Sequence, residues 1–301
     1  MSLLVTGSIG IDTVKTPFGF SEDCIGGSAV HFSMAASFFS PVCFLGVVGD
    51  DCPFDLAEVF KGRDVDLKGL EVRKGSKTFR WVGSYEENMN ERRTDSVELN
   101  VLSEAPPSVP KAYSNSKYVF LANTAPALQI QLLDQIASTS FVAADTMNHW
   151  IITAGDDLKK LLDRIDMLVL NEEEAKLLTG QRNLIVASRS ILDMGPRIVI
   201  IKEGEYGSMM TNSEGDCFIL PAFPTTVVID PTGAGDSFAG ALMGYLAQAG
   251  KVDVISLRNA MVYGTVAASF TISDFSIHGI KGITKANIEE RFDTLRKVTQ
   301  F

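Results

Sequence analysis

No apolar run in this chain is long enough to cross a bilayer, because its richest stretches are broken by Asp, Gly or Pro. The start, Met1-Ser-Leu-Leu-Val-Thr-Gly, lacks the basic region of a secretory leader, and its short apolar run reads as a first strand. Cysteine is sparse: Cys24, Cys43, Cys52 and Cys217 form no CxxC pair, and no His stands at zinc-finger spacing. That excludes a disulfide framework and a zinc module, and it fits free thiols in a reducing compartment, so a cytoplasmic location is expected. Positive charge is not in surplus. The formal net charge of -10 argues against nonspecific nucleic-acid binding, which relies on basic patches. Gly-x-x-x-x-Gly-Lys-Ser/Thr is missing, Gly7-Ser-Ile-Gly10 lacks dinucleotide-fingerprint spacing, and there is no His-Arg-Asp or Asp-Phe-Gly set. Internal repeats and low-complexity tracts are absent too.

What is present supports a large core. Hydrophobic residues make up 46% of the 301 residues and charged residues 21%, so disorder is excluded. Compact apolar strands are expected at 3–5, 42–48, 118–121, 141–144, 167–170 and 198–201. Helical patterns fall near 28–38, 54–60, 128–136, 172–178 and 184–192. This βαβα rhythm predicts an α/β fold with a mostly parallel sheet and helices on both faces, within one domain spanning 1–301. Two segments break the rhythm. Residues 12–23 are polar with Pro and Gly, and 71–101 alternate, as in Thr78-Phe79-Arg80-Trp81-Val82. Together they predict a small β-lid over the carboxyl ends of the parallel strands, where open α/β sheets bind ligands. The run 105–110, rich in Pro, reads as a stiff connector back to the core.

The chemistry concentrates in residues 227–242, Val-Val-Ile-Asp-Pro-Thr-Gly-Ala-Gly-Asp-Ser-Phe-Ala-Gly-Ala-Leu. A strand over Thr225 to Ile229 is expected to end in a proline turn. Gly233, Ala234 and Gly235 then lead into a helix whose apolar face is Phe238, Ala241, Leu242, Tyr245 and Leu246. Such a junction presents unpaired amides at a helix N-terminus, which favours anions. Asp236 stands inside this anion-seeking turn. Its carboxylate either caps the helix or serves as a base beside bound phosphate oxygens.

The longer string Asp-Pro-Thr-Gly-Ala-Gly-Asp-Ser-Phe-Ala-Gly-Ala resembles the C-terminal signature of the PfkB family, the ribokinase-like carbohydrate kinases. Weaker motifs resemble the family in the same chain order: Gly26-Gly27, Gly46-Val-Val-Gly49-Asp50, Asn171-Glu-Glu-Glu174 and Gly204 to Gly207. The resemblance implies a three-layer ribokinase-like fold whose lid covers the substrate. It implies that Asp236 is the base and that Gly233, Ala234 and Gly235 supply transition-state amides. On the substrate side it implicates Asp12, Gly26, Gly27, His31, Asn123 and Asn148. On the nucleotide side it implicates Asn171, Glu174, Lys202, Gly204, Gly207 and Asn259. Glu174 would act on Mg²⁺ through water, and Asp230 with Thr232 would hold a monovalent cation, K⁺.

Departures from the family pattern matter. His31 stands where ribokinases carry an Asn that contacts sugar hydroxyls, and Ser28 where they carry a Lys, so ribose itself is in doubt. Asp145-Thr-Met-Asn148-His-Trp150 lacks the family's Arg. The expected activity is ATP-dependent transfer of a phosphoryl group to a primary hydroxyl of a sugar or small polyol. An adenosine-type nucleoside kinase is the alternative, because Trp81 and Tyr85 in the lid could stack on a base. A ligand-binding regulator without catalysis is the rival from another class. Small-molecule acceptors are the expected partners, without nucleic acid or membrane, and a homodimer through the lid edge is a further expectation.

Overall fold

A computed structural model describes residues 2–90 and 92–300; Met1, Glu91 and Phe301, which fall within the expected ranges above, lie outside the described residues. Thirteen strands are described: β1 Leu3–Thr6, β2 Gly10–Thr16, β3 Gly19–Gly26, β4 Val42–Gly49, β5 Val65–Arg73, β6 Phe79–Tyr85, β7 Arg92–Glu98, β8 Tyr118–Leu121, β9 Phe141–Asp145, β10 Met167–Asn171, β11 Ile198–Lys202, β12 Ser208–Asn212 and β13 Cys217–Leu220. Nine of them form one sheet in the order β13-β12-β11-β10-β9-β8-β1-β4-β5. It is parallel from β11 through β5, and β12 and β13 add an antiparallel edge.

The helices are α1 Ser28–Ala36, α2 Leu56–Val59, α3 Pro126–Leu133, α4 Asn148–Thr153, α5 Gly155–Leu162, α6 Glu172–Thr179, α7 Leu184–Leu192, α8 Ala234–Ala249, α9 Val254–Thr271, α10 His278–Lys281 and α11 Lys285–Val298. Because successive strand side chains point to opposite faces, the apolar runs supply two cores. Leu3 and Val5 face one core with α1, α8 and α9, whereas Leu4 faces the other with Leu158, Leu161 and Ile191. All nine residues of α1 are buried, as expected of a helix clasped between the sheet and α8. Phe32 stacks on Phe120 with ring centroids 4.6 Å apart. Each fully buried side chain of this size stabilises the fold by about 1.5–3 kcal/mol. This packing fixes α1 beneath the start of α8, which the site requires. Among the described residues no helix is long and apolar enough to cross a membrane.

The other four strands form a small sheet in the order β3-β2-β6-β7. Its segments differ from the expected 12–23 and 71–101. The first hairpin begins at Gly10 and ends at Gly26. Glu71 to Arg73 belong to β5, paired with β4 in the large sheet, so the second excursion starts only at Phe79.

One expected strand is not there. Residues 225–229 have no ladder partner and run as irregular backbone, with Val227 45% exposed. The β-branched composition is overridden by position, because the chain must leave the edge strand β13 and climb to α8. Pro221, Pro224 and Pro231 flank the segment and, having no amide hydrogen, keep a ladder from extending through it on either side. The Ile229 amide donates to the Ile272 carbonyl at 2.7 Å and the Val227 amide to Thr225 Oγ1 at 3.2 Å, so neither serves a ladder.

Candidate active site

The turn before α8 is built around a buried carboxylate. Asp230 is fully buried, and its oxygens accept from the amides of Thr232 (2.9 Å) and Ser276 (3.3 Å). The Pro231 carbonyl accepts from the Ala234 amide at 3.1 Å, and Gly233 turns the chain at φ 76° so that Ser237 N–H can start the helix on the Gly233 carbonyl. The Ala234 amide is therefore already taken, which corrects the expectation that it faces the reaction. The amides left without an acceptor among the described residues are those of Gly233, Gly235 and Asp236. They open at the positive end of a 16-residue helix. Asp236 lies in the first turn, yet no side chain caps this helix, so its carboxylate is not spent as a cap. Lys202, at the end of β11, brings its ammonium to the same place: a Cβ built on Gly235 would lie 2.7 Å from Lys202 Nζ.

On the side of β2 and α1, Asp12 rests on Gly26, whose hypothetical Cβ would lie 1.9 Å from Asp12 Oδ2. Asp12 is 5% exposed, and its Oδ1 has no partner. Burial, reinforced by the charges of Asp230 and Asp236 and opposed by the Gly27 amide, pushes its pKa up to about 7. His31 is buried against Gly233, and neither of its ring nitrogens has a partner. Burial pulls its pKa down, against the pull of Asp236 and Asp230. Buried polar atoms are seldom left orphaned, and a carboxylate oxygen plus two imidazole nitrogens beside one turn mark a place where a polar ligand fits.

The segment after β9 contributes differently from expectation. Asn148, the first residue of α4, is exposed and joined to none of these groups. Asp145 is the buried member instead, with Oδ1 unpartnered, and Thr146 Oγ1 beside it is also orphaned. Burial raises the Asp145 pKa well above the carboxylate range, the Asp236 charge adds to this, and Lys202 opposes it. Asn123, expected to touch substrate, already accepts from Trp150 Nε1 at 2.9 Å and donates to Met147 Sδ at 3.1 Å. Sequence reasoning passed over Asp145, although an acid closing a buried run at the carboxyl end of a parallel strand is a usable signal.

Asn171 and Glu174 form a reciprocal capping box on α6, with each side chain accepting from the other's amide at 2.8 Å. Capping uses only Glu174 Oε2. Burial raises the Glu174 pKa, and Lys202 offsets part of that rise. Gly204 and Gly207 lie in the turn between β11 and β12, where Gly207 is demanded by the backbone: its Cβ would sit 2.0 Å from the Leu220 carbonyl oxygen. Asn259 is half-buried on α9, and no hydrogen bond or ion pair joins it to the groups above.

The small sheet reaches this site. Thr232 Oγ1 donates to the Tyr85 hydroxyl at 3.2 Å, so the side chain expected to ligate a cation is engaged across the cleft. Asn90, beyond β6, donates to Glu205 Oε1 in the 204–207 turn at 2.9 Å. Arg92 is opposite Tyr85 in the β6–β7 ladder, so both side chains take the same face.

The fold has counterparts among known proteins. Residues 22–278 match the pfkB family carbohydrate kinases. A cytidine kinase of Thermococcus kodakarensis is 26% identical over 252 residues, covering 81% of this chain and 88% of that protein. A bifunctional ribokinase/ribose-5-phosphate isomerase A of Fructilactobacillus sanfranciscensis is 34% identical over 119 residues, only 38% of this chain and 21% of that one. Among solved structures, the Burkholderia thailandensis nucleoside kinase in complex with inosine superposes with a TM-score of 0.78 at 19% identity, covering 97% of this chain and 98% of that one. A putative ribokinase II from E. coli in complex with ATP and Mg²⁺ gives a TM-score of 0.76 at 17% identity, with 97% and 99% covered. The large sheet, its helices and the small sheet are thus a ribokinase-like fold, and the chain belongs to the pfkB family of carbohydrate kinases.

Proposed function

We propose that the chain acts as one ribokinase-like unit that transfers the γ-phosphoryl group of ATP to a primary hydroxyl of a sugar or nucleoside, with the small sheet as its lid. The observation that carries this reading is the convergence on one turn of free amides, an ammonium and an uncommitted carboxylate. Asp236 accepts the proton as the acceptor oxygen bonds to phosphorus, and the bond to the bridging oxygen of ADP breaks. The amides of Gly233, Gly235 and Asp236, together with Lys202 Nζ, stabilise charge on the phosphoryl oxygens. Asp12 Oδ1 and the His31 ring nitrogens hold the acceptor's hydroxyls. The lid excludes water, which suppresses hydrolysis of ATP.

The site's charge fits a magnesium ion. Asp145, Glu174 and Asp236 oppose one another electrostatically, with Lys202 as their near cation, and Asp145 Oδ1 is orphaned. Glu174 Oε1 and the Asn171 amide group would orient the ion's waters, and the ion would neutralise phosphate charge. For a monovalent cation the support narrows to Asp230, a buried carboxylate held by two amides, whose pKa burial raises. Thr232 is engaged with Tyr85 and is not counted. Replacing K⁺ by an organic cation in the assay tests this part.

Self-association through the small sheet is also proposed. Phe18, Phe20 and Val97 are more than half exposed on or beside its strands, and β3 and β7 end the sheet as edges. Sedimentation of wild type against Phe20→Ser checks it. A reducing, cytoplasmic setting suits the four free thiols.

The decisive assay measures ADP release with Mg-ATP against pentoses, hexoses, sugar acids and nucleosides. Acceptor-dependent ADP release is expected. Failure of every acceptor in the presence of K⁺, with ATP bound, would reduce the protein to a binding module.

A further inference from the structure

The proposed transfer makes no use of Trp81, yet the small sheet is shaped around it. On β6, Trp81, Gly83 and Tyr85 alternate onto one face, and the Tyr85–Thr232 contact shows that this face looks into the cleft. Trp81 pairs in parallel register with Asp12 of β2, so its side chain emerges beside the buried carboxylate. The indole lies flat along its own strand. A Cβ on Gly83 would fall 2.1 Å from Cζ2 and 2.2 Å from Cη2, so only a glycine lets the ring lie there. Nε1 donates to Thr94 Oγ1 at 3.2 Å, and Thr94 is the ladder partner of Gly83. One ring face is thereby laid on backbone and the polar edge is satisfied. The guanidinium of Arg92 lies over the ring 5.7 Å from its centroid, so this exposed, flexible side chain must swing aside for a flat ligand to stack there. No aromatic side chain among the described residues stacks on the ring.

We infer that Trp81 is a stacking platform for a flat ring carried by the acceptor, and that the acceptor is therefore a nucleoside and not a free sugar. This rests on the phosphoryl-transfer reading of the Asp236 turn. A sugar whose hydroxyls meet Asp12 places its ring substituent beside the neighbouring strand, where the indole is. Stacking on an indole rewards any base, because every base has a π-face, so purine and pyrimidine nucleosides are both accepted. Gly83 and Thr94 are positioning residues that hold the platform flat.

The test is calorimetric titration of adenosine, cytidine and ribose into wild type, Trp81→Ala and Trp81→Phe, with ADP release measured alongside. Nucleosides are expected to bind at least tenfold more tightly than ribose. Trp81→Ala should weaken nucleosides by about 5- to 100-fold and leave ribose unchanged, and Trp81→Phe should retain most of the affinity. Ribose bound as tightly as nucleosides, no nucleoside binding, or full nucleoside affinity in a folded Trp81→Ala variant would each overturn the inference. Phosphorylation of ribose alone would overturn it while sparing phosphoryl transfer. Nucleoside binding that depends on Trp81, without ADP release for any acceptor, would support the platform and sink the transfer reading.

Discussion

Tyr85 of the small sheet and Thr232 of the turn before α8 share a hydrogen bond of 3.2 Å, which joins the lid to the place where phosphoryl transfer is proposed. Burial pushes the Tyr85 pKa up to about 12, so the hydroxyl stays neutral and can engage Thr232 throughout the working pH range. A bond of this kind contributes about 0.5–1.5 kcal/mol. Tyr85→Phe keeps the ring and removes the latch. It should lower kcat/KM by about 2- to 10-fold and raise acceptor-free ATP hydrolysis, with little change in Tm. Steady-state kinetics beside a thermal melt decides the matter. Unchanged hydrolysis and kinetics would mean that the contact does not hold the lid.

Asp236→Asn removes the proposed base while preserving shape. Turnover should fall by about 10²- to 10⁴-fold, with ATP affinity within a few-fold of wild type. Titration of ATP and single-turnover phosphoryl transfer separate the two quantities. Retained turnover would reassign the base, with Asp145, a buried carboxylate that feels the Asp236 charge, as an alternative.

Much of this arrangement was legible in the sequence. The parallel strands show as continuous apolar runs because both of their faces are buried, and the Gly-Ala-Gly-Asp turn carries its chemistry in residue types alone. What was hidden depends on contacts between distant segments. Residues 225–229 have strand composition, but three flanking prolines and the climb from β13 to α8 keep them out of the sheet. Nothing local says that the Ala234 amide closes a turn on Pro231, or that the Thr232 hydroxyl pairs with a tyrosine 147 positions earlier. As a string, Asp145-Thr-Met-Asn148 does not tell which of its polar residues turns inward. The end of β9 divides it, burying the first residue and exposing the fourth.

The raised Asp12 pKa gives a pH signature. Between the ordinary carboxylate value of 3.8 and about 7, the folded chain holds a proton that the unfolded chain has lost. This contribution to stability is fully present below the lower value and fades as pH rises through about 7, by up to ~1.4 kcal/mol per pH unit. Asp145, Glu174 and Asp230 are shifted in the same direction, and His31 in the opposite one, so the useful quantity is a difference. Urea unfolding from pH 4 to 8 should show a flatter decline for Asp12→Asn than for wild type. Acceptor KM should fall as pH rises through about 7 in the wild type, as Asp12 becomes a full acceptor of hydroxyl hydrogen bonds. Parallel stability curves would leave Asp12 with an ordinary pKa.

Gly233→Ala separates the geometry of the turn from its chemistry. At φ 76° any other L-residue is strained by about 1–2 kcal/mol, and the added methyl would sit 2.3 Å from His31 Nδ1. Since His31 is wholly buried on α1, it can yield only by moving the helix or by tilting into the space proposed for the acceptor. The variant should lose about 1–3 kcal/mol of stability and more than tenfold in kcat/KM. Adding His31→Ala opens room for the methyl. The double variant should therefore regain part of the stability lost to the clash, while activity stays low because the His31 nitrogens are gone and the amides remain displaced by strain. A double-mutant cycle in Tm and kcat/KM reads both effects. Additive losses in both quantities would show that the imidazole and the turn are not in contact, and would remove His31 from the site.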